Sequence, residues 1–278
     1  MRNIVRYLVS IVTGIAVVQS ILSAIEMYVK GFNIPLWFYV ISILVIGSVI
    51  FCCNGLWLEG YLRKKAKITI KSIGMEVNIK RGDLFKETGV IVIGVNDFFD
   101  TIVDDTHISS RSLHGMMILK HWGGNVGDLD SQIQNGLASN VFEYVKRDGI
   151  AKEKRYPLGT SVLVKDSHGK RFLLVALTRT NAVTHRTHAE LRDLYDAVKG
   201  SLTVARETAN GDPVSLPLMG GGNARIKAPE QALFNVMLSS ILSECLENEK
   251  VSSQINIVLH PNSLKGLNLF AIEKEWVV

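Results

Sequence analysis

The stretch VSLPLMGGGNARIKAPEQAL, Val214 to Leu233, decides the fold prediction, because an apolar run ends in three consecutive glycines before a helical pattern begins. Val214–Leu218 has the length and apolar content of a buried strand. Pro229 suits the first position of the helix that follows. Glycine loses more backbone entropy on ordering than other residues and has no side chain to pack, so three together predict a backbone that approaches a ligand closely. Phosphate is the first candidate, because backbone N–H groups at helix N-termini bind anions.

Short apolar strands alternate with helical periodicity on both sides of this stretch. Helices are predicted around Leu191–Ala205 and Leu233–Cys245, with a third within Ser131–Lys146. Interleaved strands and helices predict an α/β fold, a three-layer α/β/α domain with a mixed or mostly parallel sheet. The predicted strands are Lys67–Ile73, Met75–Ile79, Val90–Val95, Thr160–Val164, Arg171–Leu177, Val214–Leu218 and Ile255–Leu259.

Two uncharged stretches near the N-terminus are each long enough to cross about 30 Å of hydrocarbon as a helix. Aromatic residues lie near their ends, where amphipathic rings favour the headgroup region. A cleaved signal peptide fits poorly, because a second apolar segment follows the first within ten residues. We therefore predict a transmembrane helical hairpin in residues 1–62, with helices at about 7–26 and 35–58, and a second domain in residues 63–278.

Charge is concentrated beside this hairpin. Residues 1–66 contain six Lys and Arg against two Asp and Glu, whereas the remainder contains 25 against 24. Basic residues flank the two apolar stretches and only Lys30 lies between them, so both termini and the large domain are predicted to be cytoplasmic, on a two-pass protein of the cell membrane. The basic cluster suits anionic lipid, and the nearly neutral remainder argues against nucleic acid as a partner.

The three cysteines have no disulfide or zinc spacing, and no metal site is predicted.

A second stretch, RGDLFKETGVIVIGVNDFFDT, Arg81 to Thr101, places Gly-Asp-Leu before an apolar strand that ends in an Asn-containing loop. This order, with a glycine loop after a later strand, resembles the macro domain family. The resemblance implies that Asp83, beside Leu84, accepts a hydrogen bond from the adenine amino group of ADP-ribose, and that Asn96 and Asp97 line the site. It also implies that the glycine loop wraps the diphosphate with backbone N–H groups. The loop residues concerned are Met219, Gly220, Gly221, Gly222 and Asn223.

The sequence departs from the hydrolytic members of that family, which carry Asn-Ala-Ala-Asn after the first strand and a Gly-Gly-Gly loop beyond it. Here the first motif reads Asn96-Asp97-Phe98-Phe99, and a loop at Thr106–Ile118 replaces the second. Since Phe99 takes the place of the second Asn, the resemblance implies ligand binding without catalysis, and no catalytic residue is predicted. Ordinary solvated loops contain the same residue types as the replacement loop. Its candidate ligand contacts are Ser109, Ser112, Leu113, His114 and Gly115.

A membrane hairpin fused to a macro-like domain resembles the membrane effector of Thoeris-type bacterial anti-phage systems. In those systems a Toll/interleukin-receptor-like (TIR) enzyme consumes NAD and makes an ADP-ribose-type signal. The resemblance implies that the ligand is this nucleotide second messenger, such as an amino-acid conjugate of ADP-ribose, and that no cofactor is needed. It also implies that the protein forms a homo-oligomer, disrupts the lipid membrane and causes death or arrest of the infected cell. The alternatives are a membrane-tethered ADP-ribosyl hydrolase and a scaffold that binds protein only.

Overall fold

The structure is a computed structural model that describes residues 2–28, 35–63, 65–147, 149, 151–222, 224–248, 250–252, 254–260, 267 and 269–276. The chain divides into two compact units. One contains residues 1–66 together with residues 268–276, and the other contains residues 67–267 with the last two residues. We call them the hairpin unit and the sheet unit.

The hairpin unit is built from two long apolar helices, α1 (Arg2–Tyr28) and α2 (Leu36–Cys53), the second continued by a π-helical turn over Asn54–Leu58. Ile4–Ile25 and Leu36–Leu58 are long and apolar enough to cross a membrane, and few of their side chains are buried within the protein. These helices are compatible with a two-pass membrane protein.

The two helices pack through small residues. A Cβ atom added to Gly14 would lie 3.0 Å from the backbone nitrogen of Gly47, so the helix backbones approach closely at this point. Ser10, one turn before Gly14, is buried, and its hydroxyl donates to the carbonyl of Arg6. Farther along, the Tyr7 hydroxyl lies 3.1 Å from that of Ser48. Ser10 of α1 is therefore a packing residue between the two helices.

A short C-terminal helix, α7 (Leu269–Glu275), belongs to the same unit. Arg63 forms an ion pair with Glu273, and its guanidinium carbon lies 4.7 Å from the centre of the Phe270 ring. Its Nε also donates to the carbonyl of Leu56 at 2.8 Å. Arg63 thus ties α7 to the segment that follows α2.

The sheet unit contains a mixed sheet in the strand order β1-β2-β10-β9-β3-β7-β6, with β8 paired to β7. Strand β10 is parallel to both β2 and β9, and β3 is parallel to both β9 and β7. Strand β6 is antiparallel to β7, and β4 and β5 form a separate antiparallel pair. The strands are β1 (Lys65–Ile70), β2 (Met75–Arg81), β3 (Val90–Asn96), β4 (Glu143–Tyr144), β5 (Lys154–Arg155), β6 (Ser161–Lys165), β7 (Arg171–Thr180), β8 (Thr187–His188), β9 (Val214–Pro217) and β10 (Gln254–Leu259).

Helices cover both faces of this sheet. On one face, alternate β3 residues such as Ile91 and Ile93 form a core with α3 (Leu113–Trp122) and α4 (Gly127–Gly136). The intervening β3 residues are equally buried, and α5 (Leu191–Thr208) packs against β7 and against α6 (Glu230–Glu247). Burial on both faces explains why these strands are continuously apolar instead of alternating. The predicted three-layer fold with a mixed sheet is confirmed.

Two helix predictions need correction. The third helix is predicted within Ser131–Lys146, but α4 spans Gly127–Gly136, and Glu143–Tyr144 form strand β4. The predicted loop Thr106–Ile118 is partly helical, because α3 begins at Leu113 and its Met117 and Ile118 enter the core. The first predicted strand also ends early, since Lys71–Ile73 is a 3-10 turn.

Close packing between α5 and the turn before β6 gives a prediction about Gly200. A Cβ atom there would lie 2.1 Å from the carbonyl oxygen of Gly159. Replacing an interior helix glycine by alanine ordinarily stabilises a helix by roughly 0.5–1 kcal/mol, but the clash with a backbone atom reverses the sign here. We expect Gly200→Ala to lower the free energy of unfolding by about 1–3 kcal/mol, measured by urea denaturation of the detergent-solubilised protein.

Gly127→Ala is the matched control, because a Cβ atom on Gly127 at the start of α4 meets nothing closer than 3.8 Å. This control should be neutral or slightly stabilising. A Gly200→Ala protein as stable as the wild type would show that the packing is looser than described.

Candidate functional site

The parallel strands bring their carboxyl ends to one edge of the sheet, which we call the carboxyl edge. Strands β2, β10, β9, β3 and β7 all run in the same direction. The loops that follow them therefore meet there, as ligand-binding loops do in open α/β sheets. This topology gathers Asp83, Asn96 and the loop Met219–Gly222, three parts of the site predicted from separate stretches of sequence.

Asp83 begins the 3-10 turn Leu84–Lys86 directly after β2. One carboxylate oxygen accepts the backbone N–H of Phe85 at 3.0 Å, while the side chain as a whole is exposed. The preceding Gly82 donates its N–H to the carbonyl of Leu259 in β10, which fixes the turn to the sheet. Leu84 is buried and packs in the core. The Asp83 carboxylate is therefore fixed by its hydrogen bond to Phe85 and remains accessible to solvent.

The three glycines of the loop after β9 differ in role. Gly220 is required by the local structure, whereas Gly221 and Gly222 are open to solvent. Gly220 has φ +95°, a conformation that favours glycine, and a Cβ atom there would lie 2.9 Å from the side chains of Ile226 and Leu233. Gly221 and Gly222 are exposed, and their N–H groups have no partner among the described residues. Exposed, unpaired backbone N–H groups beside a helix entry form an anion-binding surface.

The remaining predicted residues of this loop have different positions. Met219 is buried, and its N–H donates to the sulfur of Met237 at 3.3 Å, so its side chain belongs to the interior. Asn223 lies outside the described residues. The accessible surface of the loop is therefore the backbone of Gly221 and Gly222.

Asn96 and Asp97, at the end of β3, are bound by the protein itself. The Asn96 amide donates to Asp100 at 2.8 Å and its oxygen accepts the Asp100 N–H at 3.1 Å. Asp97 accepts the N–H of Thr180 at 2.9 Å, and its other carboxylate oxygen lies 3.1 Å from Nε of Arg155. Burial raises the pKa of Asp97, against the hydrogen bond from Thr180 and the charge of Arg155, which lower it. Both side chains hold the loop in shape.

A buried ion pair completes this loop. Arg147 places two nitrogens 2.9 Å from the two carboxylate oxygens of Asp100, and both side chains are almost completely inaccessible. The Arg147 guanidinium carbon also lies 4.1 Å from the centre of the Phe98 ring. The neighbouring Phe99 has φ +52° and packs edge-on against Tyr156 at 5.5 Å. Phe99, which stands where hydrolytic macro domains carry the second Asn of their first motif, is therefore part of the core.

Sequence reasoning missed this ion pair. Its partners are 47 residues apart, and neither Asp100 nor Arg147 stands in a motif that would single it out.

In the replacement loop, the residues predicted to contact the ligand form the start of α3 and its N-terminal cap. The Ser112 hydroxyl accepts the N–H of Gly115 at 2.9 Å and donates to the carbonyl of Ser109 at 2.7 Å, which is the N-cap arrangement of α3. A Cβ atom on Gly115 would lie 2.2 Å from that same carbonyl, so glycine is required by packing. Leu113 packs partly buried against the core, and His114 is buried in the first helical turn.

His114 carries an unusual electrostatic environment. Its Nε2 is buried without a hydrogen-bond partner among the described residues. Burial lowers its pKa to about 4, with the Asp100 carboxylate opposing and the Lys152 ammonium reinforcing this shift. The imidazole is therefore neutral at physiological pH. No group of three or more metal-ligating side chains lies together in the described part of the chain.

Comparison with known proteins gives a consistent result. The family model described as "Thoeris protein ThsA, Macro domain" matches residues 77–260. The Thoeris protein ThsA of Bacillus amyloliquefaciens (strain Y2) is 27% identical over 215 residues, which cover 74% of this chain and 70% of that protein. Among solved structures, a mutant macrodomain of Oceanobacillus iheyensis superimposes with a TM-score of 0.51 at 13% identity, covering 77% of this chain and 97% of that one. The structural likeness establishes the fold.

The lowered pKa of His114 makes folding stability depend on pH. The unfolded chain protonates this imidazole below its ordinary pKa of 6.5, whereas the folded protein keeps it neutral down to about 4. The contribution of His114 to the free energy of unfolding is therefore fully present above pH 6.5 and declines as the pH falls toward 4. At pH 5 the free energy of unfolding is lower by about 2 kcal/mol. We expect His114→Gln to reduce the difference in unfolding free energy between pH 7 and pH 5 by that amount, measured by urea denaturation at both pH values.

His168→Gln is the control, because His168 is exposed, and it should keep the wild-type pH dependence. An unaltered dependence in the His114→Gln protein would mean that His114 titrates normally.

Proposed function

Because this chain belongs to the family of Thoeris ThsA macro domains, we propose that it is a membrane effector of anti-phage defence that is switched by an ADP-ribose-type nucleotide. Family membership supports a role in Thoeris defence and the binding of an ADP-ribose-related ligand made by a TIR enzyme. Membrane action, oligomerisation and the death or arrest of the infected cell are parts of the proposal.

The carboxyl edge of the sheet carries this proposal. It presents one accessible carboxylate, Asp83, and the open backbone of Gly221 and Gly222 next to the entry of α6. Free N–H groups and the positive end of a helix dipole favour the two negative charges of a diphosphate. A carboxylate accepts hydrogen bonds, which suits the exocyclic amino group of adenine. An adenosine diphosphate moiety has both complementary groups.

We propose that the ligand is a signal and is not turned over. Asn96, the polar side chain closest in sequence to the family's catalytic motif, has both its amide nitrogen and its oxygen engaged by Asp100. The next candidate position holds Phe99, whose ring is buried. Neither side chain is free to orient water at a ribose. A hydrolase would release free ADP-ribose from an ADP-ribosylated protein, so incubation with such a substrate tests this part of the proposal.

Signalling requires that the nucleotide distinguish two states of the protein. A ligand shifts an equilibrium only by its differential affinity for the two states. In the proposed mechanism the occupied sheet unit favours assembly of the chains, and assembly brings many apolar hairpins together in the bilayer. The close contact at Gly14 and Gly47 keeps each hairpin compact.

The role of Asp83 is tested by two substitutions and calorimetry with ADP-ribose. Asp83→Ala removes both the carboxylate and the cap of the 3-10 turn, whereas Asp83→Ser keeps a capping oxygen. A hydrogen bond to a charged group contributes about 1.5–3 kcal/mol, so both variants should bind ADP-ribose roughly 10- to 100-fold more weakly. Glu143→Ala, which removes an exposed carboxylate from β4, is the matched control and should bind normally.

If both Asp83 variants bind ADP-ribose with wild-type affinity, the proposed contact between Asp83 and adenine is wrong. The absence of any binding to the wild-type protein would remove ADP-ribose recognition altogether.

Membrane action is tested with the protein in dye-loaded liposomes. The products of a TIR enzyme acting on NAD should release the dye and raise the yield of cross-linked oligomers, because the proposed signal favours assembly. The same mixture from heat-inactivated enzyme, and active mixture added to Asp83→Ser protein, are the controls. Equal leakage with active and inactive mixtures would contradict nucleotide gating.

A further inference from the structure

The two chain segments that join the sheet unit to the hairpin unit both leave the sheet at its carboxyl edge. Strand β10 ends there at Leu259, because it runs parallel to β2 and β9. Strand β1 is paired with β2, and only residues 71–74 connect the two. A parallel connection needs a dozen or more residues, so β1 runs antiparallel to β2 and begins at the carboxyl edge. The proposed nucleotide site and both connections to the hairpin unit therefore share one edge of the sheet.

Strand β10 lies between the two halves of the proposed nucleotide site. Its neighbours are β2, which leads into Asp83, and β9, which leads into the glycine loop. The carbonyl of Leu259 in β10 accepts the N–H of Gly82, the residue before Asp83. After this strand the chain continues to α7, which belongs to the hairpin unit. A ligand that joins Asp83 to the glycine loop therefore spans the end of the strand that leads to α7.

Residues 54–63, which follow α2, form the base of the hairpin, and α1, α2 and α7 all meet them. The start of α1 is attached through Arg6, which pairs with Glu59 at 3.0 Å and whose guanidinium carbon lies 4.3 Å from the centre of the Tyr61 ring. Helix α2 runs directly into the π-helical turn that opens the base, and such turns are frequent at functional sites. Helix α7 contacts this same turn. The position of α7 therefore bears on the packing of both long helices.

The attachment of α7 to the base is specific but weak. Arg63 and Glu273 keep 24% and 38% of their side chains exposed, and ion pairs with such exposure contribute little to stability. The second contact is the cation–π contact between Arg63 and Phe270. Leu269 and Ile272, three residues apart on one side of the helix, are buried. A helix of seven residues is unstable in isolation, so α7 has two states, docked and helical or undocked and unfolded.

We propose that α7 is a latch that holds the hairpin in its resting arrangement, and that nucleotide binding at the carboxyl edge releases it. The inference rests on the proposed function, because it assigns regulation to the same site. In the single chain α7 occupies the base, so assembly of neighbouring hairpins at that level requires it to leave. The nucleotide acts by binding more tightly when α7 is undocked, since only differential affinity shifts an equilibrium. A weak attachment suits this role, because the binding of one small ligand is enough to break it.

Reversal of one charge tests the latch in the full-length protein in dye-loaded liposomes. Glu273→Arg places a second cation beside Arg63 and undocks α7. The probe is the product mixture of a TIR enzyme acting on NAD, added in serial dilution. Apparent affinity rises with the fraction of protein already in the binding-competent state. Glu273→Arg should therefore reach half-maximal dye release with roughly 3- to 30-fold less mixture, and it should raise dye release without any mixture.

Three further variants locate the effect. Glu273→Gln removes the attraction without adding repulsion, and should shift the threshold in the same direction by a smaller factor. Arg63→Glu combined with Glu273→Arg restores both the pair and the net charge near the lipid surface, and should return both readouts toward wild type. Glu247→Arg reverses a charge in another exposed ion pair, formed with Lys199 at 3.0 Å, and should leave both readouts unchanged.

The possible outcomes separate the inference from the proposed function. Wild-type threshold and leakage in both Glu273 variants overturn the latch, and so does a need for more of the mixture, since docked α7 would then belong to the active state. A shift that the double substitution leaves unrestored also overturns it, because the effect then has another origin than the contact with Arg63. In these three cases the wild-type response leaves nucleotide gating intact. A wild-type protein that does not respond to the active mixture overturns nucleotide gating and the latch with it.

Discussion

The parallel pairing of β10 with β2 and β9, and of β3 with β9 and β7, is the constraint on which the site depends. Parallel strands must end at the same edge, so segments more than 100 residues apart in the chain are brought side by side there. Asp83 follows the second strand and Gly220 follows the ninth, yet both stand at this edge. Each motif alone is short and common, and the sheet makes them parts of one surface.

A second constraint is the internal structure of the loop after β3. Asp100 is held by Arg147 through two bonds and by Asn96 through two more. Burial of two charges costs several kcal/mol of desolvation, and removal of one partner from such a pair typically costs about 3–5 kcal/mol. The loop is therefore committed to one conformation before any ligand arrives. Binding then requires little further ordering of this loop, which lowers the entropic cost of association.

The sequence predicts the parts of this fold that follow from local pattern. Short runs rich in Val, Ile and Leu locate the seven main strands to within a few residues, and the spacing of apolar residues locates α5 and α6. The glycine loop was recognised because three adjacent glycines have few structural reasons to occur together. Of these, Gly220 is required by its own backbone conformation, while Gly221 and Gly222 are open to solvent.

The features that the sequence did not predict depend on contacts between distant residues. The sequence predicts a loop where α3 begins, because the residues before Leu113 are polar. The cap of this helix depends on Ser112, whose role appears only with Gly115 packed on Ser109. The glycine that ends α4 at residue 136 lies inside the stretch assigned to a helix. Asn96 and Asp97 have the right chemistry for ligand contacts, but Asn96 is engaged by Asp100, and Asp97 accepts the N–H of Thr180 and lies beside Arg155.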